Sequence, residues 1–249
     1  MYLKAFVFLI FCLSLLQASP VVAAAPAPAE IRSAVEGARA DAIELFREFL
    51  SLPNDARNAA DIEALVGWME TAFGERGFDT QRLRTAGSPA LVASRIVDPE
   101  RPTVLVYLQA DGQPVDPSAW NQASPYLPVL KERGIDGDWS EIPWERMELG
   151  IDPDWRIFAR SASDSKGPMT QFLVATQLLD KAGFAFDYNL KVLIDTEEEL
   201  GSPHLADAIA QSRGMLAADL LLIFDGPPHA SNRPTVSFGA RGIATATVT

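Results

Sequence analysis

The seven residues Thr196-Glu197-Glu198-Glu199-Leu200-Gly201-Ser202 are the stretch of this chain best equipped for chemistry. They follow the apolar run Leu190-Lys191-Val192-Leu193-Ile194, so the acidic groups gather where a strand ends. Like charges held close raise one another's pKa and cost stability, whereas a bound dication turns the same crowding into attraction. Side chains alternate across a strand, so neighbouring glutamates leaving one point in different directions. One can then hold a metal while the other carries a proton. Taken alone, the run also describes a solvated acidic turn, the commoner use of such a segment.

Asp111, Asp164 and Asp225 change that balance. Each lies just past a predicted strand or at a strand-to-helix turn, as Glu198 and Glu199 do. In open α/β sheets, ligands bind outside the carboxyl ends of the strands. Four separate segments therefore deliver carboxylates to one edge, and oxygen-rich clusters of this kind suit dications such as zinc, manganese or cobalt.

The elements that must position these groups are legible from periodicity. Residues 30–52 predict a helix, with Ile31, Val35, Ala38, Ala42, Ile43, Phe46 and Leu50 at helical spacing and Pro53 as its stop. A second helix is expected over 60–76, closed by Gly77. Strands are expected at 78–83, 90–97 and 103–108, the last without alternation, as in a strand covered on both faces. Residues 112–155 show little periodicity but hold Trp120, Trp139, Trp144 and Trp155, which argue for an ordered segment beside a cleft. A short strand at 156–159, a helix at 168–182, a strand at 190–195, a helix at 203–211 and a strand at 220–224 follow. Two strand segments, 235–238 and 243–249, end the chain. The alternation predicts an α/β fold without internal repeats.

Met1 to Leu16 join one lysine to a short apolar run, and the Ala-rich exit Val22-Ala23-Ala24 follows, which reads as a secretory signal over residues 1–24. The run is too short for a membrane span. The mature protein is therefore expected to be extracytoplasmic, periplasmic or secreted. The one cysteine, Cys12, lies inside that leader, which excludes cysteine catalysis and thiolate metal sites downstream. A net charge of −12 argues against nucleic acid or anionic membranes as partners through a basic face.

Four motifs stand in order: Gln109-Ala-Asp111-Gly-Gln-Pro114, Arg160-Ser-Ala-Ser-Asp164-Ser-Lys166-Gly167-Pro168, Glu198-Glu199-Leu-Gly201-Ser202 and Asp225-Gly226-Pro227. Together they resemble the co-catalytic two-metal exopeptidases, the family of carnosinase-type dipeptidases, aminoacylases and glutamate carboxypeptidases, with wording closest to the carnosinase branch. The resemblance runs from about Ala42 to the end of the chain. It implies a zinc-exopeptidase-like, three-layer αβα sandwich around a mostly parallel mixed sheet. Residues 25–236 would form the N-terminal part of the catalytic domain, and 237–249 the start of a lid domain, entered at Arg241 and Gly242 and otherwise largely missing. It further implies two divalent metal ions, zinc first and manganese or cobalt as alternatives. Asp164 would bridge them, Glu199 and Asp225 would each bind one, and Glu198 would be the general base. Asp111 would orient the residue two before it. The implied substrate is a dipeptide or an N-acyl amino acid, and the full-length protein would be a homodimer.

Two departures from the pattern bear on activity. Gln109 stands where the family has histidine, and its amide oxygen is a harder, weaker donor than imidazole. Relatives also use a late histidine as the last ligand. The histidines here, His204 and His229, read as surface residues, so the 249 residues are expected to be an inactive fragment of a longer hydrolase. The competing reading is a non-catalytic relative that binds a small molecule or peptide. A purely structural secreted module would leave the acidic edge unexplained.

Overall fold

The structure, a computed structural model, describes residues 26–225 and 235–239. The predicted signal, His229, the Gly226-Pro227 turn, Arg241, Gly242 and the 243–249 segment lie outside the described residues. Six helices and eight strands are described: α1 Pro28–Gly37, α2 Arg39–Ser51, α3 Ala59–Gly74, β1 Asp79–Leu83, β2 Ala90–Arg95, β3 Thr103–Gln109, β4 Val129–Arg133, β5 Trp139–Ile142, β6 Arg156–Phe158, α4 Lys166–Lys181, β7 Asn189–Asp195, α5 Leu205–Gln211, α6 Arg213–Leu216 and β8 Leu220–Ile223.

The main sheet has the order β1-β2-β7-β3-β8. It is mixed: β1, β2 and β7 pair antiparallel, while β3 runs parallel to both β7 and β8. Alternation divides it cleanly between two cores. Leu91 and Ala93 of β2, Val106 and Leu108 of β3 and Val192 and Ile194 of β7 face a cluster built with Phe49, Leu65, Met69, Phe73 and Met169 from α2, α3 and α4. Val92 and Leu193 face the opposite way, toward Ala208 and Leu216 of α5 and α6. Helices on both faces of one sheet make the three-layer α/β sandwich, because a sheet with two apolar faces must cover both.

Local chemistry explains most element ends. Asn58 caps α3, its side-chain oxygen accepting from Ala60 N at 3.1 Å and Asp61 N at 3.4 Å, an interaction worth about 1 kcal/mol. Helix α4 begins at Lys166, two residues earlier than its periodicity suggests, with Pro168 in the first turn, where a missing N–H costs little. Asn189 pins the 97–103 connection, accepting from Val97 N and Asp98 N and donating to Asp98 O and Arg101 O.

Three expectations are corrected. The single helix over 30–52 is two, broken at Ala38, where the backbone leaves helical geometry (φ −95°, ψ 0°) after Gly37, a poor helix former. Residues 112–155 are ordered, as their tryptophans suggest, but they hold strands that no periodicity predicts: with 156–158 they form a second, three-stranded sheet, β5-β4-β6, whose strands of three to five residues are too short for a clear alternation. Residues 235–239 have no regular secondary structure, so the expected strand at 235–238 is absent there.

Candidate active site at the carboxyl edge of the main sheet

Strands β3 and β7 are parallel neighbours in the register Gln109↔Asp195, so their carboxyl ends emerge side by side. Ala110 N donates to Asp195 O at 2.9 Å and continues the ladder one residue beyond the strand. The chain then turns through a 3₁₀ segment, Glu198–Leu200, and Gly201 ends it in the left-handed region at φ 83°, where a residue without Cβ is unstrained.

Asp111 links the two strand ends. Its carboxylate is buried and accepts from the backbone N–H of Glu198 at 3.1 Å and of Glu199 at 3.0 Å. The resemblance implies that it orients Gln109. The bonds it makes here run instead to the glutamate turn, so its direct effect is to fix where Glu198 and Glu199 begin. Burial pushes its pKa up to about 7, against the lowering pull of those two amides.

Gln109 is also buried, and its Oε1 accepts from Ser165 Oγ at 2.7 Å. The same hydroxyl contacts Asp164 Oδ1, so Ser165 joins the β3 end to the turn that opens α4. Glu199 Oε2 accepts from Gln113 Nε2 at 2.6 Å. Below them, Gly112 N donates to Asn54 O at 2.8 Å, while Asn54 Nδ2 donates to Ala110 O at 2.8 Å and Ser161 Oγ at 3.0 Å. Gln113, Ser161 and Ser165 lie inside the motifs without a role assigned to them, and Asn54 carries no sequence signal at all. Their bonding roles emerge only because the topology folds these segments against one another.

Glu198 is the electrostatic centre of the site. Partial burial raises its pKa first, and the charges of Glu199, Asp225, Asp164 and Asp195 raise it further. Carboxylates from three segments thus lie within electrostatic reach of Glu198. Among the described residues, no three His, Cys, Asp or Glu side chains form a ready coordination group. In this arrangement Asp164 and Glu199 are instead satisfied by the neutral donors Ser165 and Gln113. The donor set fits a hard dication by chemistry and charge, since it is acidic, oxygen-rich and mutually repelling.

Behind this edge a second layer of bonds holds the turn. Asp195 accepts from Tyr107 OH at 2.9 Å, from Ser202 Oγ and from Glu197 N at 3.0 Å. Glu197 turns away from the acidic edge: it accepts from Ser88 N at 3.1 Å and meets His204 Nδ1 at 2.8 Å. His204 is therefore half-exposed and paired with Glu197 rather than fully solvated. Lys166 is fully buried and donates to Phe49 O at 2.9 Å and to Leu52 O, closing the carboxyl end of α2. Burial pulls its pKa down to about 7.

No family model matches the chain. Among curated proteins, a Cys-Gly metallodipeptidase of Schizosaccharomyces pombe is 30% identical over 148 residues, covering 59% of this chain and 27% of that protein. A Beta-Ala-His dipeptidase of Mus musculus is 25% identical over 156 residues, covering 62% of this chain and 27% of its own. Among solved structures, an M20 family metallo-carboxypeptidase from Sulfolobus solfataricus superposes with a TM-score of 0.60 at 28% identity, over 78% of this chain and 39% of that one. The chain thus resembles an M20 family metallopeptidase in both sequence and fold. Human carnosine dipeptidase 1 shares the fold, with a TM-score of 0.63 at 17% identity over 80% of this chain and 41% of its own. The chain thus spans about a quarter of the length of the curated dipeptidases it matches.

Proposed function

We propose that the protein is a metal-dependent hydrolase of dipeptides or N-acyl amino acids, acting outside the cytoplasm by virtue of its predicted leader. The observation that carries this reading is the convergence on Glu198: one partly buried glutamate, raised in pKa, amid Glu199, Asp225 and Asp164, with its backbone held by Asp111. Asp164, Glu199 and Asp225, with Gln109, would hold two dications, zinc in the first instance. When bound, such ions polarise a carbonyl and lower the pKa of water. To hold them, Asp164 and Glu199 would have to give up their bonds to Ser165 and Gln113. Glu198 takes a proton from the attacking water and returns it to the leaving amine, the part a positioned carboxylate plays in general acid–base catalysis. Asp111 keeps that base in register through the backbone rather than by touching substrate.

Glu198→Gln is the test, made in the protein at the length its gene encodes. Turnover of dipeptides should fall by at least about a hundredfold, while metal content measured by elemental analysis stays unchanged. Retained turnover would remove Glu198 from the role of base. A second reading has its own support, because Gln109 Oε1 is already engaged by Ser165 where the resemblance calls for a metal-ligating histidine. On that reading the protein binds a peptide or small molecule without cleaving it. Absence of hydrolysis in the metal-loaded wild type, with peptide binding retained, would decide for it.

A further inference from the structure

The small sheet carries a cleft that the carboxylate site does not use. Its volume is about 580 Å³, and its walls include Trp120, Trp139 and Phe158, with Lys131, Asp138 and Glu141 as the charged residues. The ladder registers explain the composition: Lys131 lies opposite Glu141, Arg133 opposite Trp139 and Val129 opposite Phe158, which puts Lys131, Trp139, Glu141 and Phe158 on one face. The other face carries Leu130 and Ile142 and is buried.

Lys131 is the unusual member. It is only 7% exposed, yet among the described residues it forms no salt bridge. Its nitrogen donates to Asn121 O at 3.3 Å and sits 4.8 Å from the centre of the Phe158 ring. An ammonium has three donors, and one long bond with one aromatic face leaves capacity unused. An anion entering the cleft would therefore meet an ammonium with donors to spare. Asp138 and Glu141 are exposed, so their charge belongs to the mouth of the cleft. Trp139 and Phe158 meet edge to face at 5.2 Å, while Arg133 lies 5.9 Å from the centre of the Trp139 ring and Arg160 5.5 Å from that of Trp120, so the wall is built of rings and planar cations, both of which pack against an aromatic group.

We propose that this cleft binds a zwitterion with an aromatic side chain, an aromatic amino acid or a short peptide ending in one. The carboxylate pairs with Lys131, the ring packs among Trp120, Trp139 and Phe158, and the ammonium faces Asp138 and Glu141. The cleft is separate from the proposed hydrolytic edge, so the inference stands whether or not that edge hydrolyses anything. The segment that builds it joins the carboxyl end of β3 to the turn that opens α4.

Isothermal titration of the wild type with L-phenylalanine, with a chelator present to silence any metal-dependent site, tests the proposal. Saturable binding is expected, with a dissociation constant in the millimolar range or tighter. Phenylalaninamide, which lacks the carboxylate, should bind about tenfold more weakly or worse, a difference of about 1.4 kcal/mol. 3-Phenylpropionate, which lacks only the ammonium, should lose less, because Asp138 and Glu141 are exposed and screened. Lys131→Met should reproduce the loss seen with the amide. Wild type that gives no saturable heat, or that binds the amide as tightly as the free amino acid, overturns the proposal without recourse to a variant. Folded Lys131→Met with wild-type affinity overturns it as well.

Discussion

At the scale of single residues, the least expected feature is a lysine with no aqueous surface. Lys166 closes α2 through Phe49 O and Leu52 O, and its pKa falls to about 7 because burial penalises the ammonium. The sign of the consequence follows from proton counts. Between about pH 7 and the ordinary lysine value near 10.5, the unfolded chain holds a proton that the folded chain has lost, so stability rises with pH across that window. Below pH 7 both states are protonated and the full cost of burial is present. Denaturant titrations at pH 7 and pH 9.5 should show wild type gaining a few kcal/mol relative to Lys166→Met, which has nothing to titrate. A wild-type-minus-variant difference that is flat with pH would mean the ammonium is solvated in the folded protein.

At the scale of elements, the turn that carries Asp164 depends on Gly167. A Cβ there would lie 2.5 Å from Ala162 O, a backbone atom that cannot swing aside. Gly167→Ala should therefore cost about 1–3 kcal/mol, as overpacking does, and shift the α4 amino end from Gln109. Gly67 in α3 is the control: nothing lies within 4 Å of its would-be Cβ. Gly67→Ala should stabilise by up to about 1 kcal/mol through helix propensity, and thermal melts of the two variants should move in opposite directions. These elements also show what is legible in a sequence. The long buried strands β3 and β7, and the motif residues at their ends, announce themselves because apolar runs and acidic turns are local patterns. The partners that set the geometry do not. Ser165 touches Gln109 across 56 positions and Asn54 reaches Ser161 across 107, separations at which no periodicity is visible. The small sheet stays hidden for a related reason: its strands alternate over too few residues to outweigh the prolines between them. Its aromatic content was the surviving signal.

At the scale of the whole molecule, the two edges of the main sheet differ. Strand β1 reads Asp-Thr-Gln-Arg-Leu, and Arg82 on it pairs with Glu70 and Glu63, so that edge is polar and charged. Strand β8 reads Leu-Leu-Leu-Ile, and Leu220, Leu221, Leu222, Ile223 and Phe224 are all exposed, with β3 its one paired neighbour among the described residues. Charged residues guard an edge because a run of free N–H and C=O groups is a template for another strand, and this run has no guard. A contiguous apolar strand with an open ladder should associate with whatever complementary surface it meets. For the 249-residue chain alone, light scattering should show mass rising with protein concentration. Leu221→Lys should reduce it, because a lysine at a strand edge makes pairing with a second copy unfavourable, whereas a lysine exchanged for Ile96 at the far end of β2 should not. A chain that stays monomeric at high concentration, with β8 amides protected from hydrogen exchange, would show that the edge is already covered by its own polypeptide.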